Sequence, residues 1–432
     1  MKSPIILALL GFLSQIIYSL FFFIIPLKKL AGGYVYGPQD KDFFASVAIL
    51  LLVFLIYILA FRVISRDKNK STRIIIFWAI IFSLSMFFII PIASGDIFAY
   101  INLGRVHAVY GQNPYLIPYN TLESDIFRNV FQNPWLSQAT PYGPAFLLLS
   151  GFFARIAGDR LLINIFLFKG LFTIVHIITI FLVKKLTNSK EAVFLYAWNP
   201  LIIFEISVNA HNDGLIVFLI LLSILIIRKS HTFFNSLTAW SLLVASILTK
   251  IYSLVLVPVF YFYLMSKVKK LKGKILLTLF LAGLTILMFV IFYTPFWQNG
   301  EIFGSYINLI KLNHIIVSPA ILLATSVFYT LGFKNYFYLG KLLGKLSFSV
   351  VFLYLLIKDK FLMDASYNRF LGLLMVVLGI FLLTSMDWFV PWYMTSFLAI
   401  SSVYLETTGN FSKKYYIYIP TLYGILNYLF LR

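Results

Sequence analysis

Four carboxylates stand where carboxylates are expensive. Asp96, Glu205, Asp213 and Asp387 lie inside or at the lip of long apolar runs, in a chain with only fifteen acidic residues among 432. Asp67, Glu191 and Asp359, by contrast, sit in basic connecting segments and balance charge there. An ionisable group at membrane depth costs on the order of 3 kcal/mol even on the lenient insertion scale, so each of the four is a candidate for function. The competing reading for any one of them is a structural ion pair or a helix cap.

Asp96 belongs to Ser94-Gly95-Asp96, where the third apolar run meets a long polar loop. Residues Ile97 to Tyr110 are compatible with a helix, and Asp96 is placed as its N-cap. On that helix Tyr100 and Gly104 share a face with Asp96, with Arg105 and His107 nearby. The stretch ends in Gly111-Gln112-Asn113-Pro114-Tyr115, a turn by composition. A second turn, Pro141-Tyr142-Gly143-Pro144, closes the loop; its two prolines fix the angle at which the chain re-enters apolar surroundings. Tyr142 is a candidate contact.

A third cluster follows Asn199-Pro200: Glu205, Asn209, His211, Asn212 and Asp213. The four-residue spacing of Glu205, Asn209 and Asp213 predicts one helical face. His211 with Asp213 is weak support for a metal, and a polar helix end that binds an anion or a sugar is the better reading. Lys250 is the one cation between Ala239 and Tyr263. It either snorkels to the interface or meets an anionic phosphate as a point charge. Met386-Asp387-Trp388 and Pro391-Trp392-Tyr393 form an acidic, aromatic junction that could equally be an interfacial belt.

The elements that must hold these residues are membrane spans. The chain is 61% hydrophobic and 12% charged, against roughly 25% charged in a soluble domain. Its apolar runs are continuous, as helices require, and do not alternate as barrel strands do. Candidate spans lie near 4–25, 43–62, 74–93, 160–183, 191–208, 214–227, 233–249, 251–265, 275–295, 338–357, 367–385, 388–405 and 415–431. Residues 145–157 and 317–332 look too short to cross. The expectation is an all-α polytopic membrane protein of about 11–14 transmembrane helices, one domain over 1–432, with 94–144 as a large outer loop carrying amphipathic helices.

The formal charge of +20 does not mean nucleic acid. Basic residues punctuate the gaps between apolar runs: Arg62, Arg66, Lys68, Lys70 and Arg73; Lys184, Lys185 and Lys190; Lys267, Lys269, Lys270, Lys272 and Lys274. Nucleic-acid binding needs a continuous basic surface, whereas this pattern is the positive-inside signature of cytoplasmic loops. It places 94–144 and 209–213 together on the outer side. The N-terminal run is too long for a signal peptide and reads as the first span. With no cysteine, disulfides and thiolate chemistry are excluded.

Taken together, Ser-Gly-Asp…Tyr…Gly-Arg at 94–105, Gly-x-Asn-Pro-Tyr at 111–115, Tyr-Gly-Pro at 142–144, Asn-Pro-Leu at 199–201, Glu205 and Asn-x-His-Asn-Asp at 209–213 resemble the bacterial polyprenyl-phosphate-dependent glycosyltransferases of the C-type (GT-C) superfamily. The closest look is to its membrane mannosyltransferases. Lys250 before Pro258, and Tyr393 after Trp392, fit the same pattern. The resemblance covers 94–260 well and the C-terminal third by hydropathy only.

That resemblance implies a GT-C-like bundle in a bacterial or archaeal plasma membrane with its active site on the outer face. It implies transfer of mannose or another hexose from a polyprenyl-phosphate donor to a hydroxyl on a glycan or glycolipid acceptor, with Asp96 as general base. Tyr100, Arg105, Asn113, Tyr115, Tyr142, Glu205, Asn209, His211, Asp213, Lys250, Asp387, Trp392 and Tyr393 are then the expected donor-phosphate and substrate residues. No cofactor is expected; Mg or Mn is compatible but not indicated. The rival class is a secondary transporter or lipid-linked-sugar flippase, which also carries intramembrane acids; clustering of the polar groups at one lip favours the transferase.

Overall fold

The computed structural model describes residues 3–24, 40–66, 72–128, 137–138, 140–302, 304, 316–358 and 366–429. Asp67, Lys68, Lys70 and Asp359 lie outside them. In chain order the helices are α1 (Ser3–Ser19), α2 (Asp40–Arg66), α3 (Thr72–Phe87), α4 (Asp96–Ala108), α5 (Pro144–Ala157) and α6 (Leu161–Leu186). There follow α7 (Lys190–Ala197), α8 (Pro200–Ile203), α9 (Asp213–Lys229), α10 (Phe233–Thr249), α11 (Val257–Ser266) and α12 (Leu271–Tyr293). The C-terminal part is α13 (Pro319–Thr330), α14 (Tyr336–Lys358), α15 (Tyr367–Thr384), α16 (Met394–Thr408) and α17 (Tyr415–Asn427). Among the described residues there is no strand.

Among the described residues, six helical stretches are long and apolar enough to cross a membrane: Ser3–Phe23, Asp42–Arg66, Leu161–Leu186, Leu271–Phe296, Tyr336–Lys358 and Tyr367–Thr384. Five shorter apolar helices, including α3, α5 and α10, pack among them. The α12 surface is mostly outward-facing Leu, Ile, Phe and Val, as a lipid-facing span requires. The protein is an all-α, multi-pass membrane protein.

Several expected spans are interrupted, and each break serves the polar cluster. The third helix stops at Phe87 instead of continuing to 93; the Ile92 and Ala93 amides instead donate to Asn209 Oδ1, at 3.3 and 3.2 Å. The run at 191–208 is two helices bent by 46° at Asn199-Pro200. There Asn199 caps α8 through the Leu201 and Ile202 amides, and proline occupies the first turn, where its missing N–H costs nothing. The run at 388–405 becomes helical only at Met394, after a turn at Pro391–Tyr393.

Two helix contacts set the loop's position. α4 lies against α5 so closely at Gly104 that a Cβ there would stand 2.3 Å from the Ser150 carbonyl oxygen. At Gly143 a Cβ would stand 2.1 Å from the Leu248 carbonyl, and its amide donates to Thr249 O at 3.0 Å. The turn carrying Tyr142 is thereby clamped beside Lys250.

α4 is not a surface amphipathic helix. Every residue from Asp96 to Val106 is buried, so its polar groups face protein.

Candidate active site

The N-cap of α4 is Gly95, and Asp96 is the first helical residue with no capping bond from its side chain. This corrects the expectation that Asp96 caps the helix. Its carboxylate is instead turned to the third cluster. Tyr142 OH donates to Oδ2 at 3.1 Å, and His211 Nδ1 lies 3.4 Å from the same oxygen. Burial favours the protonated carboxyl, but His211, Lys250 and the Tyr142 hydroxyl outweigh it and hold Asp96 below the usual carboxylate range.

His211 lies between two carboxylates, with Nε2 3.4 Å from Glu205 Oε2. Its ring stacks on Trp392 at 3.9 Å between centroids and 17° between planes. Glu205 also accepts from Asn209 Nδ2 at 3.2 Å and from the Tyr428 hydroxyl.

The expected single helical face of Glu205, Asn209 and Asp213 does not exist as one helix. Phe204–Val208 is a π turn, Ala210 is left-handed at φ 57°, and Asp213 opens the separate helix α9. Such turns recur at functional sites. A left-handed alanine persists only where its surroundings hold it; here the break throws His211 back toward Asp96.

Asp213 faces Lys250, whose Nζ is 2.9 Å from Oδ2. The ammonium also lies 4.4 Å from the Tyr393 ring centroid. Lys250 is buried, so it does not snorkel. A cavity of about 310 Å³ opens beside it, walled by Asp96, Tyr142, Lys250, Asp387, Trp392 and Tyr393 among others. Asp387 holds Lys345 at 2.7 Å on its far side.

Other expected site residues serve as framework. Arg105 is bound to Asp125 at 2.7 Å and Asp159 at 3.0 Å, and Tyr119 OH adds a 2.5 Å bond to Asp125. It therefore ties the loop together and is not among the cavity's walls. Asn113 donates to Phe296 O at 2.7 Å, and Tyr115 OH donates to Tyr142 O at 3.0 Å. Tyr100 OH accepts from the Asn212 amide at 3.3 Å, and Asn209 spends its amide on Glu205, Tyr428 and the 92–93 backbone.

Lys169 was not among the expected residues. Buried in α6, it donates to the Ser207 and Val208 carbonyls at 2.6 and 2.7 Å, satisfying acceptors that the π turn leaves free. The signal was available: it is the one lysine or arginine between Leu161 and Val183. Trp388, part of the acidic, aromatic junction, also lines the cavity, as does Tyr252, which carries no pattern that separates it from ordinary aromatic residues of a span.

Among the described residues, no three His, Asp or Glu side chains are grouped to hold a metal ion. A carboxylate held ionised and a buried ammonium on one cavity wall can accept a proton and receive an anion.

Residues 33–266 match the MptA_B family, described as alpha-(1->6)-mannopyranosyltransferase, N-terminal domain. The chain belongs to this mannosyltransferase family. The match spans Asp96, Tyr142, Glu205, His211, Asp213 and Lys250, while Asp387, Trp392 and Tyr393 lie beyond it. No curated protein matches the chain. It is a membrane glycosyltransferase of GT-C type, and the family implies a sugar donor and a glycan acceptor.

Proposed function

We propose that this mannosyltransferase moves mannose from a polyprenyl-phosphate donor to a primary hydroxyl of a mannoside acceptor on the outer face of the membrane. Asp96 acts as general base. The observation that carries the reading is the shared wall of one 310 Å³ cavity, which Asp96 and Lys250 both line. The linkage follows the family's description as an alpha-(1->6)-mannopyranosyltransferase.

A hydroxyl is a poor nucleophile until a carboxylate within hydrogen-bond reach takes its proton. Asp96 takes that proton, the oxygen bonds to C1 of mannose, and the C1–O bond to phosphate breaks with its electron pair on the phosphate. Lys250 meets the charge that builds there. His211 and Tyr142 hold the carboxylate in place, and Glu205 holds His211. The aromatic walls, Trp388, Trp392 and Tyr393, offer flat faces to the sugar.

Purified protein given a panel of polyprenyl-phosphate sugars with a short mannoside should elongate the mannoside from the mannose donor only, by mass analysis. Transfer from a nucleotide sugar but from no lipid phosphate would overturn the donor assignment. Movement of lipid-linked sugar across proteoliposomes without transfer would overturn the reaction.

The outer-face assignment rests on charge and on α12. Lys270 precedes that helix, and Phe296, just beyond its other end, accepts from Asn113 of the 94–144 loop. The 26 residues Leu271–Phe296 span about 39 Å at 1.5 Å per residue. The site is at the Asp213 end of α9, while Arg228 at its other end donates to Leu186 O, where α6 ends in Lys184 and Lys185. In this cysteine-free chain, Glu123→Cys should label with an impermeant maleimide on intact cells, and Lys270→Cys only after permeabilisation. Labelling of both from one side would overturn the orientation.

A further inference from the structure

The last helix, α17, lays one face along the broken span that carries Glu205. Thr421, Gly424 and Tyr428 fall on that face by the helical repeat. Thr421 Oγ1 accepts from Asn199 Nδ2 at 2.8 Å, at the bend before α8. At Gly424 a Cβ would stand 2.4 Å from the Leu201 side chain, so α17 seats directly against α8. Tyr428, which follows α17 as its C-cap, then reaches the π turn, and its ring meets Phe204 edge to face at 5.6 Å between centroids. Its hydroxyl accepts from Asn209 Nδ2 at 3.3 Å and donates to Glu205 Oε1. These α17 residues lie outside the stretch matched to the mannosyltransferase family.

Glu205 is 0% exposed, and a buried carboxylate is tolerated only where donors and cations compensate it. Asn209 and Tyr428 donate to it. His211 is held differently. Its ring nitrogens lie 3.4 Å from Glu205 and from Asp96, but neither makes an aligned hydrogen bond. Charge on both sides and the stack on Trp392 keep the ring in place. Weakening the charge on one side frees it to turn. Tyr428 therefore stands at the far end of a line, Tyr428–Glu205–His211–Asp96, whose other end borders the large cavity.

We infer that Tyr428 is a positioning residue for the transfer step: its hydroxyl keeps the Glu205 carboxylate charged and turned to His211, and so holds His211 against Asp96. The inference rests on the proposed role of Asp96. Tyr428 is not among the walls of the cavity, so its effect belongs in turnover and not in substrate binding.

The test uses the full-length protein with polyprenyl-phosphate mannose and a methyl mannoside acceptor. Tyr428→Phe removes the hydroxyl and keeps the ring on Phe204. Its kcat should fall roughly 3- to 10-fold, the weight of one hydrogen bond passed on to the base, with donor and acceptor KM unchanged. Tyr418→Phe, on the same helix, removes a buried hydroxyl that has no hydrogen-bond partner and should leave kcat and both KM values at wild type. A glutamine at 205 cannot pass charge to His211. Adding Tyr428→Phe to Glu205→Gln should therefore change kcat by less than about two-fold, as for two members of one network.

A kcat for Tyr428→Phe within about two-fold of wild type overturns the inference, as does an equal fall with and without Glu205→Gln, the mark of independent residues. KM values that rise as kcat falls, with a lower thermal midpoint, make Tyr428 a packing residue and overturn it too. Failure of the underlying reading looks different: Asp96→Asn would then turn over normally, whatever Tyr428→Phe does to kcat.

Discussion

Replacing Asp96 by asparagine should lower turnover about 100- to 10,000-fold, the usual range for loss of a general base, while the protein folds and binds donor lipid. Gly95 and not Asp96 caps α4, so the helix keeps its start. Asparagine can still accept the bond from Tyr142 OH. What is lost is the first-turn charge, worth about 1 kcal/mol or less to the helix, and with it the carboxylate's attraction to His211 and Lys250. Thermal unfolding beside a donor-binding measurement separates these terms. Activity within a few-fold of wild type would remove Asp96 from the mechanism.

The pH dependence carries a sign. Burial works against the charge, but His211, Lys250 and Tyr142 more than offset it, so the Asp96 carboxyl sits below the usual carboxylate range. The base form therefore persists as pH falls through the range where an ordinary aspartate protonates. Turnover limited by Asp96 should fall only on the acid side of that range, and this limb should be absent from the residual activity of Asp96→Asn.

The chemistry of this site was legible wherever a residue was out of keeping with its run. Asp96, Tyr142, Lys250, Asp387, Trp392 and Tyr393 stand out as charges, or as aromatic groups beside proline turns, at the lips of apolar stretches, and all six wall one cavity. What the pattern could not give was pairing. Arg105 and Asp125 are twenty residues apart in one loop, and no periodicity announces that they bind each other. The four-residue spacing of Glu205, Asn209 and Asp213 suggested a face that the π turn and the left-handed Ala210 abolish. Helical periodicity assumes a continuous helix, which is the assumption a broken span violates.

Lys250→Gln should weaken donor binding and also threaten the fold, and the two effects can be separated. Lys250 and Asp213 form a buried pair, and deleting one member of such a pair typically costs about 3–5 kcal/mol because the other charge is left stranded. The double variant Lys250→Gln with Asp213→Asn removes both charges at nearly constant volume, and such replacement is often close to neutral. Stability should therefore return in the double variant. If Lys250 serves only as the partner of Asp213, donor affinity and turnover return with it. If it also meets the donor phosphate, a charge-assisted bond of about 1.5–3 kcal/mol stays lost, and donor affinity remains roughly 10- to 150-fold weaker. Part of that deficit should appear in turnover, since charge builds on the phosphate as the sugar leaves. Lys250→Arg keeps the charge but spreads it over a planar fork, so it should bind donor better than the glutamine variant and turn over more slowly than wild type. A double variant with wild-type donor affinity would sink the phosphate role and leave Lys250 as the residue that keeps Asp213 and the start of α9 in place.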